Sequence, residues 1–415
     1  MKQFYQIALV IVFTITASFA NANFLLETEK DSVSLGAGYA NDVYYSFENG
    51  EIHTVERGNW DIGFYTLTWS AGIITNGGIG VELYLYPIFD TVGWTMIDTA
   101  GLSTWPVLYN STTDWEDGAF TRNATGHPDY GWGLYNNITH DVVGDSIYIL
   151  KLADGSFKKF WITKKVSIQN TYYFKYANLD GSDEVNQVLD CSDYVDKNFV
   201  YFSLSDATVL DREPNSDTWD ILFTKYMGIN NDVPYPVTGA LNNIDIPANR
   251  FDEVGPDFED YMSAPMDSTK SPIGYDWKEF DLNTFSYVVE DSIAFFVSNF
   301  QKDVYKLVFS VFDYNDGKIV FSKSLVHISA VDELAIDNSV LVYPNPATDF
   351  IQVDLSGELN WEMLTITDLS GKLIYSQEVN LKGVVTIPVD KLNSGVYLVT
   401  TTTGQNIAVQ KLIIQ

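Results

Sequence analysis

Four histidines, one cysteine and 55 acidic side chains are the groups in this 415-residue chain that could do chemistry. His127 and His140 share one loop-rich stretch that includes Gly126-His127-Pro128-Asp129-Tyr130-Gly131-Trp132-Gly133, where glycine and proline mark turns. His53 and His327 sit in strand-like contexts. Cys191 lies in Asp190-Cys191-Ser192-Asp193, and neighbouring carboxylates keep a thiol protonated, so it reads as a small buried residue and not as a nucleophile. A single cysteine also excludes an internal disulfide framework and a multi-cysteine metal site. The chain has no Gly-x-Ser-x-Gly elbow, His-Glu-x-x-His pair, phosphate loop or dinucleotide fingerprint. Asn178-Leu179-Asp180-Gly181-Ser182-Asp183-Glu184 offers oxygen ligands, but its spacing departs from a calcium loop and reads better as a hairpin turn. Trp94, Trp105, Trp115 and Trp132, with Tyr109, Tyr130 and Tyr135, crowd residues 91–140. Exposed, such rings stack on sugars; buried, they form a core beneath a long loop, which is the favoured reading.

The elements that must position these groups are strands. Aromatic residues make up 15% of the chain and accompany many Val, Ile and Thr, a composition that suits pleated, half-buried surfaces. Helix-period stretches are nearly absent beyond the N-terminus. There, Lys2, an apolar run from Ile7 to Phe19 and Ala20-Asn21-Ala22 predict a secretory leader over 1–22, cleaved after Ala22. No transmembrane segment is expected elsewhere. The formal net charge of −31 repels nucleic acid and anionic lipid, so neither is an expected partner.

In the last part of the chain, Ile351, Val353 and Leu355 alternate with polar neighbours, and Leu364 and Ile366 repeat the pattern. Turn residues separate about seven short strands, which predicts a seven-stranded Ig-like β-sandwich. Four segments run through it in order: Val342-Tyr343-Pro344-Asn345-Pro346-Ala347, Asp368-Leu369-Ser370-Gly371-Lys372, Asn393-Ser394-Gly395-Val396, and the terminal Val409-Gln410-Lys411-Leu412. This series resembles the type A C-terminal sorting domain of cargo exported by the type IX secretion system of Bacteroidetes. The resemblance makes Tyr343, Pro344, Asn345, Pro346, Gly371, Gly395 and Lys411 the sorting motif. It implies the outer-membrane translocon and its sorting machinery as partners, and a secreted or cell-surface destination reached through the periplasm.

Between leader and tail the chain is duplicated. Tyr44-Tyr45-Ser46-Phe47 precedes Trp60-Asp61-Ile62-Gly63-Phe64, and Tyr201-Phe202-Ser203-Leu204 precedes Trp219-Asp220-Ile221-Leu222-Phe223. Both copies continue through a Lys-led strand, at Lys159 and Lys306, to an Asp-Gly turn at Asp180-Gly181 and Asp316-Gly317. In a regular strand Trp60, Ile62 and Phe64 share one face, while Asp61 is free to accept backbone N–H bonds from an adjacent turn. The first copy also carries Asn76-Gly77-Gly78, which the second lacks at the matching place.

Each copy resembles the HmuY-like family, secreted β-rich Bacteroidetes proteins whose named member is a haemophore. That resemblance implies haem as a possible cofactor, gripped by two axial histidines, and His127 and His140 are the pair available in this chain. The expected architecture is mainly β: a leader (1–22), two related β-rich domains in tandem (23–190 and 191–330), a linker (331–337) and the sorting sandwich (338–415). The expected function is non-enzymatic binding of haem or another small ligand. A glycan-binding adhesin using the aromatic loops is one alternative, and a secreted hydrolase working through an acidic pair is the other.

Overall fold

The computed structural model describes residues 28–87, 91–327, 340–355, 361–368, 372–379, 383–403 and 407–415. The expected leader (1–22), the expected linker (331–337) and Gly371 lie outside the described residues. The chain divides after His327 into two compact units. Both are built of antiparallel ladders joined by turns, with short 3-10 segments in the first, so the mainly β class is borne out.

The first unit holds two lobes, each a pair of sheets closed over an aromatic core. In one lobe the wide sheet runs Val185–Asp190, Thr171–Asn178, Phe157–Val166, Tyr148–Lys151, Glu82–Leu85 and Val107–Leu108. Its cover sheet runs Thr208–Leu210, Phe199–Ser203, Ile62–Tyr65 and Ile73–Thr75. In the other lobe the wide sheet runs Glu29–Ser34, Lys318–His327, Val304–Asp313, Ala294–Ser298 and Ala248–Phe251. Its cover sheet runs Val233–Asn242, Ile221–Asn230, Asn41–Ser46 and Gly50–Glu56. The same strand plan is thus used twice, as the duplication predicts.

The sheets do not follow the boundary expected between residues 190 and 191. Ile62 of the first Trp-Asp-Ile motif pairs with Phe202 of the second copy, and Ile221 of the second motif pairs with Tyr45 of the first. Each copy therefore lends its leading hairpin to the other's cover sheet. The segments after these hairpins include the single 3-10 turns Arg57–Asn59 and Ser216–Thr218, which carry the chain onward instead of folding it back. One lobe is continuous, from Ile62 to Leu210; the other is assembled from residues 29–56 and 221–327.

Each core is sealed by large side chains. Phe64, Phe160, Phe174 and Phe202 are buried in the first lobe, with Phe64 stacked on Phe174 at 5.2 Å between ring centroids. Trp277 lies on Phe309 at 3.9 Å in the second. Full burial of such a residue contributes roughly 1.5–3 kcal/mol. The expected face-sharing of Trp60, Ile62 and Phe64 is corrected: Ile62 and Phe64 enter the lobe core, but Trp60 packs with Ile74, Phe199 and Tyr201 outside it. The strand begins only at Ile62, so its alternation does not govern Trp60. Trp219 departs from Ile221 and Phe223 in the same way, packing with Tyr44 and Leu222.

The second unit carries seven strands among its described residues. Leu341–Tyr343, Phe350–Asp354 and Val384–Pro388 form one sheet; Leu373–Glu378, Met363–Asp368, Gly395–Thr402 and Ile407–Ile414 form the other. Ile351, Val353, Leu355, Leu364 and Ile366 are all buried between them, as the alternation requires.

Candidate functional site

The joint between the lobes is built from matched parts. Asp61 Oδ2 accepts the Leu204 N–H at 2.7 Å, and Asp220 Oδ2 accepts the Phe47 N–H at 2.7 Å. Asn76 Nδ2 donates to the Arg57 and Trp60 carbonyls, and Asn243 Nδ2 donates to those of Ser216 and Trp219. Asn243 is therefore the second copy's counterpart of Asn76, hidden in sequence by loops of different length. Burial raises both carboxyls, Asp220 to about 6. These residues are structural: each aspartate ties a borrowed strand to its host, a buried carboxylate satisfied by backbone donors.

Beside this joint lies a cavity of ≈ 80 Å³, space for a carboxylate- or sulfate-sized group with water. Trp60, Tyr44 and Tyr201 wall it, and Trp115 reaches across from the aromatic insert, its Nε1 donating to the Asn242 carbonyl at 2.8 Å. The Asn76-Gly77-Gly78 segment borders it and presses on the other lobe: a Cβ on Gly78 would lie 2.0 Å from the Lys225 carbonyl oxygen. Glycine is required there by close approach of two backbones. Gly77, Gly78, Tyr109, Lys225 and Met227 also line an adjoining hollow of ≈ 330 Å³, which shares its border with the inner cavity.

The lining is cationic in a chain whose net charge is −31. Arg57, Arg212, Lys225 and Lys270 line the cavity against one carboxylate, Asp42. Arg212 Nη2 takes Asp42 Oδ2 at 2.8 Å, and Thr224 Oγ1 donates to Asp42 Oδ1 at 2.6 Å, so this carboxylate is already engaged. The nearby Glu213 accepts from the Tyr201 hydroxyl at 2.7 Å and from the Asn198 and Phe199 amides; burial pushes it up to about 7. Arg57 is 4% exposed, and its Nε and Nη1 have no hydrogen-bond partner. Burial lowers its pKa, Asp42 opposing the shift and Arg212 adding to it. Lys270, 5.1 Å from the centre of the Trp115 ring, is lowered to about 8 by burial. Lys225 is lowered by burial and by Arg57.

The histidines singled out in sequence lie elsewhere. His127 and His140 are both exposed and both contact Tyr135, with ring centroids 5.4 and 5.9 Å from it. The Tyr135 hydroxyl and His140 Nδ1 are 2.6 Å apart. Neither histidine lines the cavities described above. Axial ligation of haem needs an enclosing apolar pocket, and this exposed arrangement does not fit one. The tryptophan-rich insert is mostly interior: Trp94 and Trp132 are buried, and Trp105 and Trp115 are half-buried. Cys191 is buried, its thiol pushed up to about 12 by burial. The sequence reading missed Arg57, Arg212, Lys225 and Lys270, which belong to no motif. Aligning the two Trp-Asp-Ile motifs offers one signal: Ser216 stands opposite Arg57, and His53 opposite Arg212.

In the second unit the Tyr343-Pro344-Asn345-Pro346 segment is tied to the final strand. Asn345 Oδ1 accepts the Ile413 N–H at 2.9 Å and its Nδ2 donates to the Lys411 carbonyl at 2.5 Å. The Ala347 N–H donates to Ile413 O and the Gln415 N–H to Ala347 O, extending the clasp. Residues 341–415 match the family described as the secretion system C-terminal sorting domain. The tail is a type IX sorting domain. Its first motif is therefore a structural lock on its last strand, with the Tyr343 and Lys411 side chains left exposed. Gly395 opens the strand that pairs with that last strand, Gly395 opposite Ile414. The sorting domain marks the chain for export by the type IX machinery to a secreted or cell-surface destination. The chain is also similar to the ulvan lyase NLR42 of Nonlabens ulvanivorans, 28% identical over 135 residues, covering 26% of this chain and 25% of that protein. The chain thus spans about a quarter of that relative's length. Among the described residues no helix is long and apolar enough to cross a membrane.

Proposed function

We propose that this chain is a non-enzymatic binding protein, exported through its sorting domain, which holds a small ligand in the cavity between the two lobes. The observation that carries the reading is the set of buried polar atoms left without partners around that cavity, foremost Arg57 Nε and Nη1. A buried donor left unpaired costs about 1–3 kcal/mol, so a native site retains several only where something else satisfies them. The hollow beside Met227 provides the entry, and the aromatic walls provide the dry surface that small-molecule sites use. The HmuY-like resemblance of the two copies supports binding over catalysis. The similarity to a lyase is too short a share of either chain to favour a reaction.

Two measurements test this. A thermal-shift panel of small polar compounds should contain ligands that raise the melting temperature of the wild type and leave Met227→Trp, blocked at the border of cavity and hollow, unmoved. No shift anywhere, or equal shifts in both proteins, refutes the cavity. Removing residues 341–415 should strand the protein in the periplasm; delivery unchanged by that deletion refutes the export claim.

A further inference from the structure

The unpartnered atoms at the cavity have a chemical bias. Apart from the Tyr44 hydroxyl, which both donates and accepts, those on its lining residues are Arg57 Nε, Arg57 Nη1, Arg212 Nε and Trp60 Nε1. All four can only donate. What completes them must accept hydrogen bonds. Charge points the same way. Asp42 is spent on Arg212 and Thr224, and Glu213 is spent on Tyr201 and two backbone amides, so neither completes Arg57. A guanidinium 4% exposed and without an ion pair demands a counter-charge, because an uncompensated buried charge is heavily penalised. The Arg212 guanidinium already lies over Trp60 and Tyr201, at 5.7 and 5.0 Å from their ring centres, so aromatic faces and cations alternate around the space.

Resting on the cavity reading above, we infer that the ligand is an organic anion whose carboxylate or sulfate group is bound at Arg57, with its uncharged body directed toward the hollow beside Met227. The charged group accepts from Arg57 and from the Trp60 indole between the walls of Tyr44, Trp115 and Tyr201, and Tyr109, which lines both spaces, receives a ring or an apolar edge of the body. A free sugar acid and the acidic end of a longer saccharide share this chemistry. The ≈ 80 Å³ of the inner space admits one charged group, not a charged chain passing through.

Titration calorimetry on the intact protein, with glucuronate, glucose 6-sulfate, glucose and sodium sulfate as probes, tests the charge. A charged probe should bind at least tenfold tighter than glucose. Arg57→Ser should weaken that binding on the order of thirtyfold, the scale of one lost charge-assisted hydrogen bond. The unfolding midpoint of Arg57→Ser should hold or rise, which a merely structural arginine would not allow. A glucuronate-ended disaccharide binding as well as the monomer marks a chain end as the source; its rejection marks a free acid, and both outcomes support the anion. Glucose binding as tightly as the charged probes, sodium sulfate alone binding, or full affinity in Arg57→Ser overturns the inference. The Met227→Trp control separates the two readings: if glucose binds the wild type as tightly as the charged probes do and does not bind Met227→Trp, the cavity stands and the anion falls.

Discussion

At one joint of the molecule Asp61 holds Leu204, Asn76 holds the turn before Trp60, and Trp60 meets Tyr201 edge-on at 4.7 Å. At the other, Asp220 holds Phe47, Asn243 holds the turn before Trp219, and Trp219 meets Tyr44 edge-on at 5.0 Å. The two lobes agree wherever a strand must be tied to its host. They disagree where they face the cavity, with Arg57 against Ser216, Arg212 against His53, and an Asn-Gly-Gly turn pressed on Lys225 that the other copy does not repeat. A position that stays the same in both copies serves the fold, which needs it twice. A position that differs, and that sets a buried unpaired charge on one side only, serves something the fold does not need.

The tryptophans offer the largest effect with which to break this comparison. Trp60→Ala and Trp219→Ala should each cost about 3–5 kcal/mol in chemical denaturation, since both indoles are buried at equivalent joints. Only Trp60→Ala should also remove ligand binding in calorimetry, because Trp219 does not line the cavity. Equal loss of binding in both would make the asymmetry irrelevant.

The aspartates come next. Asp61→Ala and Asp220→Ala should each cost about 2–3 kcal/mol by leaving a buried amide unpaired, and the asparagine variants should stay within about 1 kcal/mol by keeping an acceptor. The pH dependence follows from the raised carboxyls. Asp220 titrates near 6 when folded and at the usual 3.8 when unfolded, so the native state holds its proton longer. Its contribution is therefore favourable at low pH and is lost as pH rises from about 4 through 6. Asp220→Asn should flatten the stability curve relative to wild type across that window, and Asp61→Asn should act in the same direction. A curve unchanged by both would mean that the carboxyls are not buried as described.

Much of this scaffold was legible in the chain because it depends on local pattern. The alternation of Ile351, Val353 and Leu355, the Asp-Gly hairpins at Asp180 and Asp316, and the repeated strands that open at Ile62 and Ile221 each follow from spacing and turn chemistry, although the tryptophans before those strands do not share their inward face. The burial of Cys191 and the interior role of Trp94 and Trp132 follow from the same reasoning. The exchange of hairpins between copies was not legible. Pairing Ile62 with Phe202 or with Tyr45 satisfies the same hydrogen bonds and the same hydrophobic pattern, because the duplicated hairpins are near-equivalents; only the path of the connecting turns selects one. The cavity was harder still. Arg57, Arg212, Lys225 and Lys270 come together through that exchange, so no window of sequence contains them. His127 and His140 were conspicuous for the opposite reason, being close in sequence and chemically capable while lying on an exposed loop.

The smallest expected effects carry the sharpest test, because their signs differ from what burial alone would give. Exchanging the mismatched pair one residue at a time separates the fold from the site. Arg57→Ser removes a buried guanidinium whose Nε and Nη1 have no partners, so the ligand-free protein should gain about 1 kcal/mol in denaturation experiments, against the usual direction for a buried substitution. Ser216→Arg places the same side chain at a half-buried position from which a long cation can reach water, and stability should change by less than about 0.5 kcal/mol. If the first variant instead loses stability, Arg57 is part of the joint after all, and its difference from Ser216 is an accident of duplication. If it gains stability while losing its ligand, the protein is maintaining an unfavourable charge for the sake of what binds to it, and the departure from symmetry is the functional part of the molecule.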